Sequence, residues 1–171
     1  MASYVILFRA INVGGRNRLP MQDLVKLLQK QGFTQVKTYI QSGNVVFNSP
    51  NKPTASLGTA IEKQFGFKPD IIVLTAKEFK TAIAQNPFAT DEGKTLHFYF
   101  CKAKPTLDKK RFEQFKTKRE QYHLRGKVFY LLAPDGIGKS KLVGNIESCL
   151  GVAATGRNFN TINKIAEILS A

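Results

Sequence analysis

The sequence predicts an α+β protein made of two ferredoxin-like (split βαβ) plaits packed together, the second irregular and carrying an extra C-terminal helix. In the first half, strand-like and helix-like segments follow one another in the order βαβ–βαβ. The two βαβ units also share a helix exit, Lys30–Phe33 in the first and Lys63–Phe67 in the second. We expect one domain over residues 1–75, a linker helix and connection over 76–93, and the second domain over 94–171.

Hydrophobic periodicity and turn residues define the first elements of the chain. Tyr4–Ile11 is a nearly continuous apolar run, which predicts a strand covered on both faces. Pro20 begins an amphipathic helix that ends at Gly32. The strands Val36–Ile40 and Val45–Asn48 then form a hairpin, whose turn contains glycine and asparagine residues that tolerate positive φ.

A second helix, a fourth strand and a linker helix complete this half. Apolar spacing predicts the helix over 57–65 and the strand over Ile71–Leu74. Thr75 and Glu78 form a capping-box pattern, which predicts that a third helix begins there. Pro87 ends that helix, since a proline disfavours helical backbone in the residue before it.

The second half repeats this order less clearly. The patterns predict a strand, a helix, a hairpin and two further helices over Leu96–Cys101, Leu107–Arg119, Tyr122–Leu124 with Lys127–Leu132, Lys139–Leu150 and Ile162–Leu169. The fourth strand is either missing or confined to a short stretch around Val152–Thr155. We expect the C-terminal helix to supply the cover that this strand does not.

The composition suits a folded protein and excludes the collagen-like, coiled-coil and disordered classes. Of 171 residues, 43% are hydrophobic, and 26 Lys and Arg against 12 Asp and Glu give a formal charge of +14. Such a charge favours either a polyanionic partner or simple solubility. The excess is spread over both halves, and its densest run, Lys109–Arg119, is interleaved with Phe112 and Phe115, which is typical of the exposed face of an amphipathic helix.

Membrane, metal and disulfide classes are disfavoured by simple features. No stretch reaches the ~18–20 apolar residues that span a bilayer, so we expect no membrane partner and a cytoplasmic location. Cys101 and Cys149 have no second Cys or His at metal-ligand spacing, which indicates core residues rather than a metal site or a disulfide. No cofactor is indicated, and the oligomeric state is left open.

Residues Ala133–Ser140 fit a permissive phosphate-loop pattern. Too few residues follow for the parallel sheet and magnesium-binding strand of a triphosphatase, so that activity is excluded. Two interpretations remain: backbone N–H groups and Lys139 at a helix N-terminus hold an anion, or the segment is a Pro-Asp-Gly turn before an ordinary helix. Asp135 favours the turn, because its carboxylate would repel a phosphate.

Three polar segments that contain glycine form the predicted ligand site. Glycine lets the backbone approach a ligand closely, and Arg and Asn are fork-shaped partners for phosphate, carboxylate or base edges. The alternative is that Gly14-Gly15 and Gly43-Asn44 supply positive φ and that the arginines are solvated or cap helix ends. The predicted binding residues are Arg9, Asn12, Gly14, Gly15, Arg16 and Asn17 in the first segment, Ser42, Gly43 and Asn44 in the second, and Arg157 and Asn158 in the third.

Convergence of these segments in space would make them one site. In the split βαβ fold we expect the hairpin turn to lie at the start of the first strand, whereas the first polar segment follows that strand's end. We predict that Asn12, Arg16, Ser42, Asn44, Arg157 and Asn158 come together in space. The topology argues against convergence of the first two segments unless Arg9 and long side chains bridge them, so one site and two sites both remain open.

The polar segments also carry a family resemblance. Taken together, the segments Phe8–Asn17, Pro20–Leu24, Thr38–Phe47, Asn86–Phe88 and Thr155–Thr161 resemble the bacterial family called domain of unknown function 1697. The resemblance covers essentially the whole chain. It implies two ferredoxin-like domains and no assigned activity, and the family usually has Trp at the position of Phe159.

Three classes of function follow from these observations. A nucleic-acid binder would stack bases on Phe8 and Phe47 of an exposed sheet. Against this, a strand that is apolar on both faces is expected to be buried, and Val45–Phe47 lacks the basic-glycine-aromatic signature of RNA-recognition modules. An enzyme would use His97 or His123 as a general base, but neither has a visible partner, so no catalytic residue is assigned. In the third class, a small phosphorylated ligand binds among the three segments. We favour an anion-binding protein, with nucleic acid ahead of a small phosphorylated ligand and enzymatic activity left open.

Overall fold

The computed structural model describes residues 1–41 and 43–171, which form two compact units. Unit 1 comprises Met1–Thr81 and Lys164–Ala171, and unit 2 comprises Ala82–Asn163. Each unit holds a four-stranded antiparallel sheet together with helices, so the fold is α+β as predicted.

The elements of unit 1 begin with β1 and run through most of α3. In chain order they are β1 (Ala2–Arg9), α1 (Met21–Lys30), β2 (Thr34–Tyr39), β3 (Asn44–Ser49), α2 (Ser56–Phe65), β4 (Asp70–Thr75) and α3 (Ala76–Ala84). The strand order is β2-β3-β1-β4. Leu7 lies opposite Asn44, and Arg9 lies opposite Asp70, which fixes the register at the end of β1.

Strand β1 is buried on both faces, as its continuous apolar run predicts. Tyr4, Ile6 and Phe8 join the core under the helices, and Val5 and Leu7 on the opposite face are also buried. Because successive side chains of a strand point to opposite faces, only a strand that is covered twice needs apolar residues at every position. Helix α1 contributes Leu24, Leu27 and Leu28 to the same core.

The predicted capping box at the start of α3 is confirmed. The backbone N–H of Thr75 donates to the Glu78 carboxylate at 2.8 Å, and the N–H of Glu78 donates to the Thr75 hydroxyl at 3.0 Å. These two bonds satisfy N–H groups that have no partner within the helix. The boundary between the units falls inside this helix, between Thr81 and Ala82.

The elements of unit 2 repeat the strand order of unit 1. They are a 3₁₀ turn (Gly93–Thr95), β5 (Leu96–Cys101), α4 (Lys109–Phe115), β6 (Gln121–Arg125), β7 (Val128–Leu132), α5 (Lys141–Gly144), α6 (Ile146–Leu150), β8 (Ala154–Asn158) and α7 (Phe159–Ser170), whose last residues belong to unit 1. The sheet has the order β6-β7-β5-β8. Its fourth strand, β8, has five residues and extends three residues beyond the predicted stretch.

Two predicted helices of unit 2 are shorter than the periodicity indicates. Helix α4 ends at Phe115, because Lys116 is extended and a turn follows. The single helix predicted over Lys139–Leu150 is two short helices, broken at Asn145, whose side-chain amide donates to the Lys141 carbonyl at 2.7 Å. A side chain that bonds the backbone locally competes with the helical ladder in this way.

The core of unit 2 confirms two predictions about individual residues. Cys101 and Cys149 are unpaired and buried in this core, and burial raises the pKa of the Cys101 thiol to about 11. Phe112 is buried while Lys109 and Lys110 beside it are exposed, as expected for an amphipathic helix. None of the helices described is long and apolar enough to cross a membrane.

Candidate functional site

The candidate site is built on the loop that follows β1, residues 10–19, which we call loop 1. Gly14 and Gly15 are the central residues of a tight hairpin turn, with φ of 57° and 74°, and the N–H of Arg16 donates to the Val13 carbonyl at 3.0 Å. Two consecutive residues with positive φ are the signature of the turn type that suits a two-residue hairpin, and glycine adopts it without strain. Neither glycine has an atom within 4 Å of where a Cβ would stand.

Asn12 fixes the shape of loop 1. Its side-chain oxygen accepts from the Leu19 N–H at 2.7 Å, and its Nδ2 donates to the carbonyls of Leu19 and Gln41, both at 2.9 Å. Asn17 likewise donates from Nδ2 to the Ala10 carbonyl at 3.1 Å. Both amides therefore hold the loop together, and this is a structural role at these two positions.

The hairpin turn between β2 and β3 lies beside loop 1, at the same edge of the sheet. The Asn12–Gln41 bond joins them, and the N–H of Phe8 donates to the Gly43 carbonyl at 2.9 Å. The expectation that the two segments lie at opposite ends is wrong. Because β1 and β2 both pair antiparallel with β3, they run parallel to each other, and their carboxyl ends share one edge.

The second predicted segment serves the hairpin itself. Gly43 has a φ of 86° and lies so close to β1 that a Cβ would stand 2.7 Å from the Cβ of Phe8. Asn44 is buried, and its Nδ2 donates to the Tyr39 carbonyl at 3.0 Å. Ser42, the third predicted residue, lies outside the described residues.

Three arginines lie at this edge. Arg9, at the end of β1, pairs with Asp70 at 3.6 Å, and both side chains are partly exposed. Arg16 and Arg18 lie on loop 1 and are exposed. Arg18 was not among the predicted residues, although its position two residues after Arg16 was a signal in the sequence.

The third predicted segment lies in unit 2 and forms the junction of β8 and α7. The Asn158 side-chain oxygen accepts from the Thr161 N–H at 2.9 Å, as a helix-capping residue does. Arg157 donates from Nη1 to the Gly156 carbonyl at 2.9 Å, and burial lowers the pKa of its guanidinium to about 10. Gly156 leaves room for the ring of Tyr99, which a Cβ would approach to 2.6 Å.

The sheet face proposed for base stacking is not a surface. Phe8 and Phe47 are fully buried in the core of unit 1. Phe47 stacks on Phe33 at 4.6 Å and on Tyr4 at 5.7 Å between ring centroids. These two rings are therefore not available to stack on bases in the way that RNA-recognition modules do.

Neither histidine has the setting of a general base. His97 is 6% exposed, its Nδ1 has no hydrogen-bond partner, and burial lowers its pKa to about 4. His123 is exposed on β6, with its ring 6.3 Å from that of Tyr130. The described residues contain no cluster of His, Cys, Asp or Glu that could hold a metal ion.

The segment that resembles a phosphate loop is a turn held by acidic residues. Asp135 accepts from Arg119 at 2.6 Å, and the Ser140 hydroxyl donates to the buried Glu120 carboxylate at 2.6 Å while capping α5. Glu120 also contributes, after burial, to a Tyr99 pKa of about 12. The sequence did not indicate Glu120 as a buried group, because it follows directly on a run of exposed cations.

We expect the segment Ala133–Ser140 to affect stability through the backbone conformation of its turn and not by holding an anion. Gly136 has a φ of 85°, so Gly136→Val should destabilise the protein by about 1–2 kcal/mol, with or without inorganic phosphate. Lys139→Ala should leave the Tm unchanged, both with and without inorganic phosphate. Gly138→Val is the matched control, because Gly138 lies outside the left-handed region and faces open space. Thermal denaturation measures all three, and a phosphate-dependent rise in Tm that is lost in Lys139→Ala would show that the loop holds an anion.

One protein family and one solved structure are similar to this chain. The model of the family described as protein of unknown function (DUF1697) matches residues 1–130. The solved structure of conserved bacterial protein SP0830 from Streptococcus pneumoniae is 24% identical, with 98% of each chain covered and a TM-score of 0.71, which shows a shared fold. Among curated proteins, no match to this chain is found.

Proposed function

We propose a function for this chain, which belongs to the DUF1697 family of proteins of unknown function. The protein binds nucleic acid, and it contacts the phosphate backbone at loop 1. The observation that carries this proposal is the pair of exposed arginines, Arg16 and Arg18, on a loop whose shape is fixed by internal hydrogen bonds. A fixed loop loses little conformational freedom when it binds, which favours affinity. A cytoplasmic location is part of this proposal.

The overall charge supports a polyanionic partner. A formal charge of +14 raises the rate at which a polyanion meets the protein, and each phosphate neutralised releases condensed counterions. Arg9 stands at the same edge of the sheet and adds to the local positive charge, although Asp70 partly offsets it. Phosphate contacts of this kind position a nucleic acid without reading its sequence.

The shape of the edge favours a polymer over a small phosphorylated ligand. A small ligand is usually enclosed in a cleft that covers most of its surface. Loop 1 instead presents exposed residues from Val13 to Arg18, which suits contacts along an extended backbone.

We also infer the finer description of the fold. The strand order β2-β3-β1-β4 and its repeat β6-β7-β5-β8 support two ferredoxin-like plaits, one within residues 1–75 and one within 94–171, with 76–93 as the linker. Both plaits place the loop after their first strand at the same edge as the turn of their hairpin. This topology explains how loop 1 comes to rest on the hairpin turn.

Salt dependence of RNA binding tests the proposed function. We expect a short fluorescein-labelled RNA to bind at low salt and to dissociate steeply as salt rises, as measured by fluorescence anisotropy. Arg16→Ala with Arg18→Ala should reduce the slope of log K against log salt by about 0.7 for each phosphate that the variant no longer neutralises. The matched control is Lys109→Ala with Lys110→Ala, which removes the same charge from the exposed side of α4.

Three outcomes distinguish specific binding from a general charge effect. An unchanged slope in the lysine variant and a reduced slope in the arginine variant support binding at loop 1. Equal changes of slope in the two variants would show that binding depends only on overall charge. Absence of RNA binding at low salt would contradict the proposed function.

A further inference from the structure

Exposed apolar side chains are rare in this protein, and two of them lie at the edge described above. Among the described residues, the large hydrophobic side chains that are exposed are Met1, Val13 at 64% and Ile40 at 49%. Val13 precedes the glycine turn of loop 1, and Ile40 begins the hairpin turn. Their chain neighbours, Asn12 and Gln41, are joined by a hydrogen bond of 2.9 Å, so Val13 and Ile40 lie on two neighbouring segments at this edge.

Ile40 holds this position in an unfavourable backbone conformation. Its φ is 51°, in the left-handed region that β-branched residues rarely adopt. Asn or Gly would adopt the same conformation with less strain and would leave no apolar surface in water. Strained residues of this kind cluster at ligand-binding sites, so the outward apolar side chain is itself an observation to explain.

Val13, Arg16, Arg18 and Ile40 are exposed on these two neighbouring segments, and together they place apolar and cationic groups at one edge. We call these four residues the edge patch. A ligand that matches it must offer an apolar face beside closely spaced negative charges. An unpaired nucleotide strand has this chemistry, because its bases expose their faces and its backbone carries the phosphates. In a duplex the same base faces are stacked inside the helix.

We infer that the edge patch selects single-stranded over double-stranded nucleic acid, an inference that rests on the proposed function above. Val13 and Ile40 contact the faces or sugars of unpaired nucleotides while Arg16 and Arg18 neutralise neighbouring phosphates. An anionic membrane surface offers a similar pairing of apolar and negative groups. Membrane-surface segments, however, use Trp, Phe and Leu as anchors, and none of the described Phe or Leu side chains is exposed here.

The test compares one RNA sequence as a single strand and as a blunt duplex, by fluorescence anisotropy at low salt. The variant is Val13→Ser with Ile40→Asn, chosen because Asn tolerates the backbone of residue 40, and its Tm is measured first to show that it folds. We expect single-strand affinity to fall about fivefold, the scale of one to two buried methylene groups, with duplex affinity unchanged. Arg16→Ala with Arg18→Ala should weaken the affinity for the single strand and for the duplex.

The outcomes separate this inference from the proposed function. If the wild type binds neither the single strand nor the duplex, the proposed function is wrong, and the inference that rests on it is wrong as well. If the wild type binds but the Val13/Ile40 variant keeps its single-strand affinity, or loses affinity equally for both forms, the inference is overturned while the proposed function stands. If the variant instead loses binding only to vesicles of phosphatidylglycerol and phosphatidylcholine, the patch is a membrane contact and the inference is overturned.

Discussion

Gly43→Ala is expected to destabilise unit 1 by about 3 kcal/mol or more, from two independent causes. A φ of 86° is unfavourable for any residue with a Cβ. That Cβ would also stand 2.6 Å from the Cδ1 of Ile11 and 2.7 Å from the Cβ of Phe8. The Ile11 methyl can move, but the Phe8 Cβ is fixed to a buried central strand, so the backbone itself must shift. Urea denaturation measures the loss.

Gly15→Ala is the matched control for this prediction. Gly15 also has positive φ, at 74°, but nothing lies within 4 Å of its Cβ position. The control therefore carries the conformational cost alone, about 1–2 kcal/mol. Equal losses in the two variants would show that the close approach of Gly43 to β1 contributes nothing.

Acidification from pH 6.5 to pH 4 is expected to cost the protein about 3 kcal/mol through His97, at about 1.4 kcal/mol for each pH unit. Burial lowers the pKa of His97 to about 4, whereas the unfolded chain has the ordinary value of 6.5. Between these values the unfolded state binds the proton and the folded state does not. The stabilisation is therefore complete above pH 6.5, is lost progressively as the pH falls, and does not change further below pH 4.

The surroundings of His97 offer no compensation for its charge. Its neighbours across the sheet are Leu131 on β7 and Asn158 on β8, and the ring of Tyr99 lies 6.3 Å away. None of these is anionic at neutral pH. The Nδ1 atom has no hydrogen-bond partner in either direction, so protonation would place an unpaired charge in the interior.

Urea denaturation at neutral and acidic pH checks the His97 prediction. His97→Leu should lose less stability on acidification than the wild type, by about 3 kcal/mol, because carboxylates contribute equally to both proteins. His123→Leu is the matched control, because it makes the same substitution at the exposed histidine. An identical pH dependence in His97→Leu and the wild type would contradict the lowered pKa.

The local parts of the fold were predictable because their causes are local. The capping box of Thr75 and Glu78 needs only two side chains three residues apart, and it is present as predicted. The continuous apolar run of β1 indicates burial on both faces whatever covers them. The break at Asn145 was not predictable, because apolar spacing continues on both sides of it.

The candidate site was only partly predictable, because composition does not show how a polar side chain is used. Asn12, Asn44 and Asn158 have the residue type expected of ligand contacts, yet each bonds the backbone of the protein. For Asn12 that choice depends on a group that folds against it from elsewhere in the chain, the Gln41 carbonyl. Val13 and Ile40 were not predictable, because an isolated apolar residue in a loop is ordinary and only their shared edge gives them meaning.

The discontinuity of unit 1 has a consequence for how the protein is made. Residues Lys164–Ala171 belong to the same compact unit as Met1–Thr81, although all of unit 2 separates them in the chain. During synthesis from the amino end, the first sheet leaves the ribosome early and must wait for the last residues before its unit is complete. Unit 2 is continuous, so it can finish folding sooner than the unit that emerged before it.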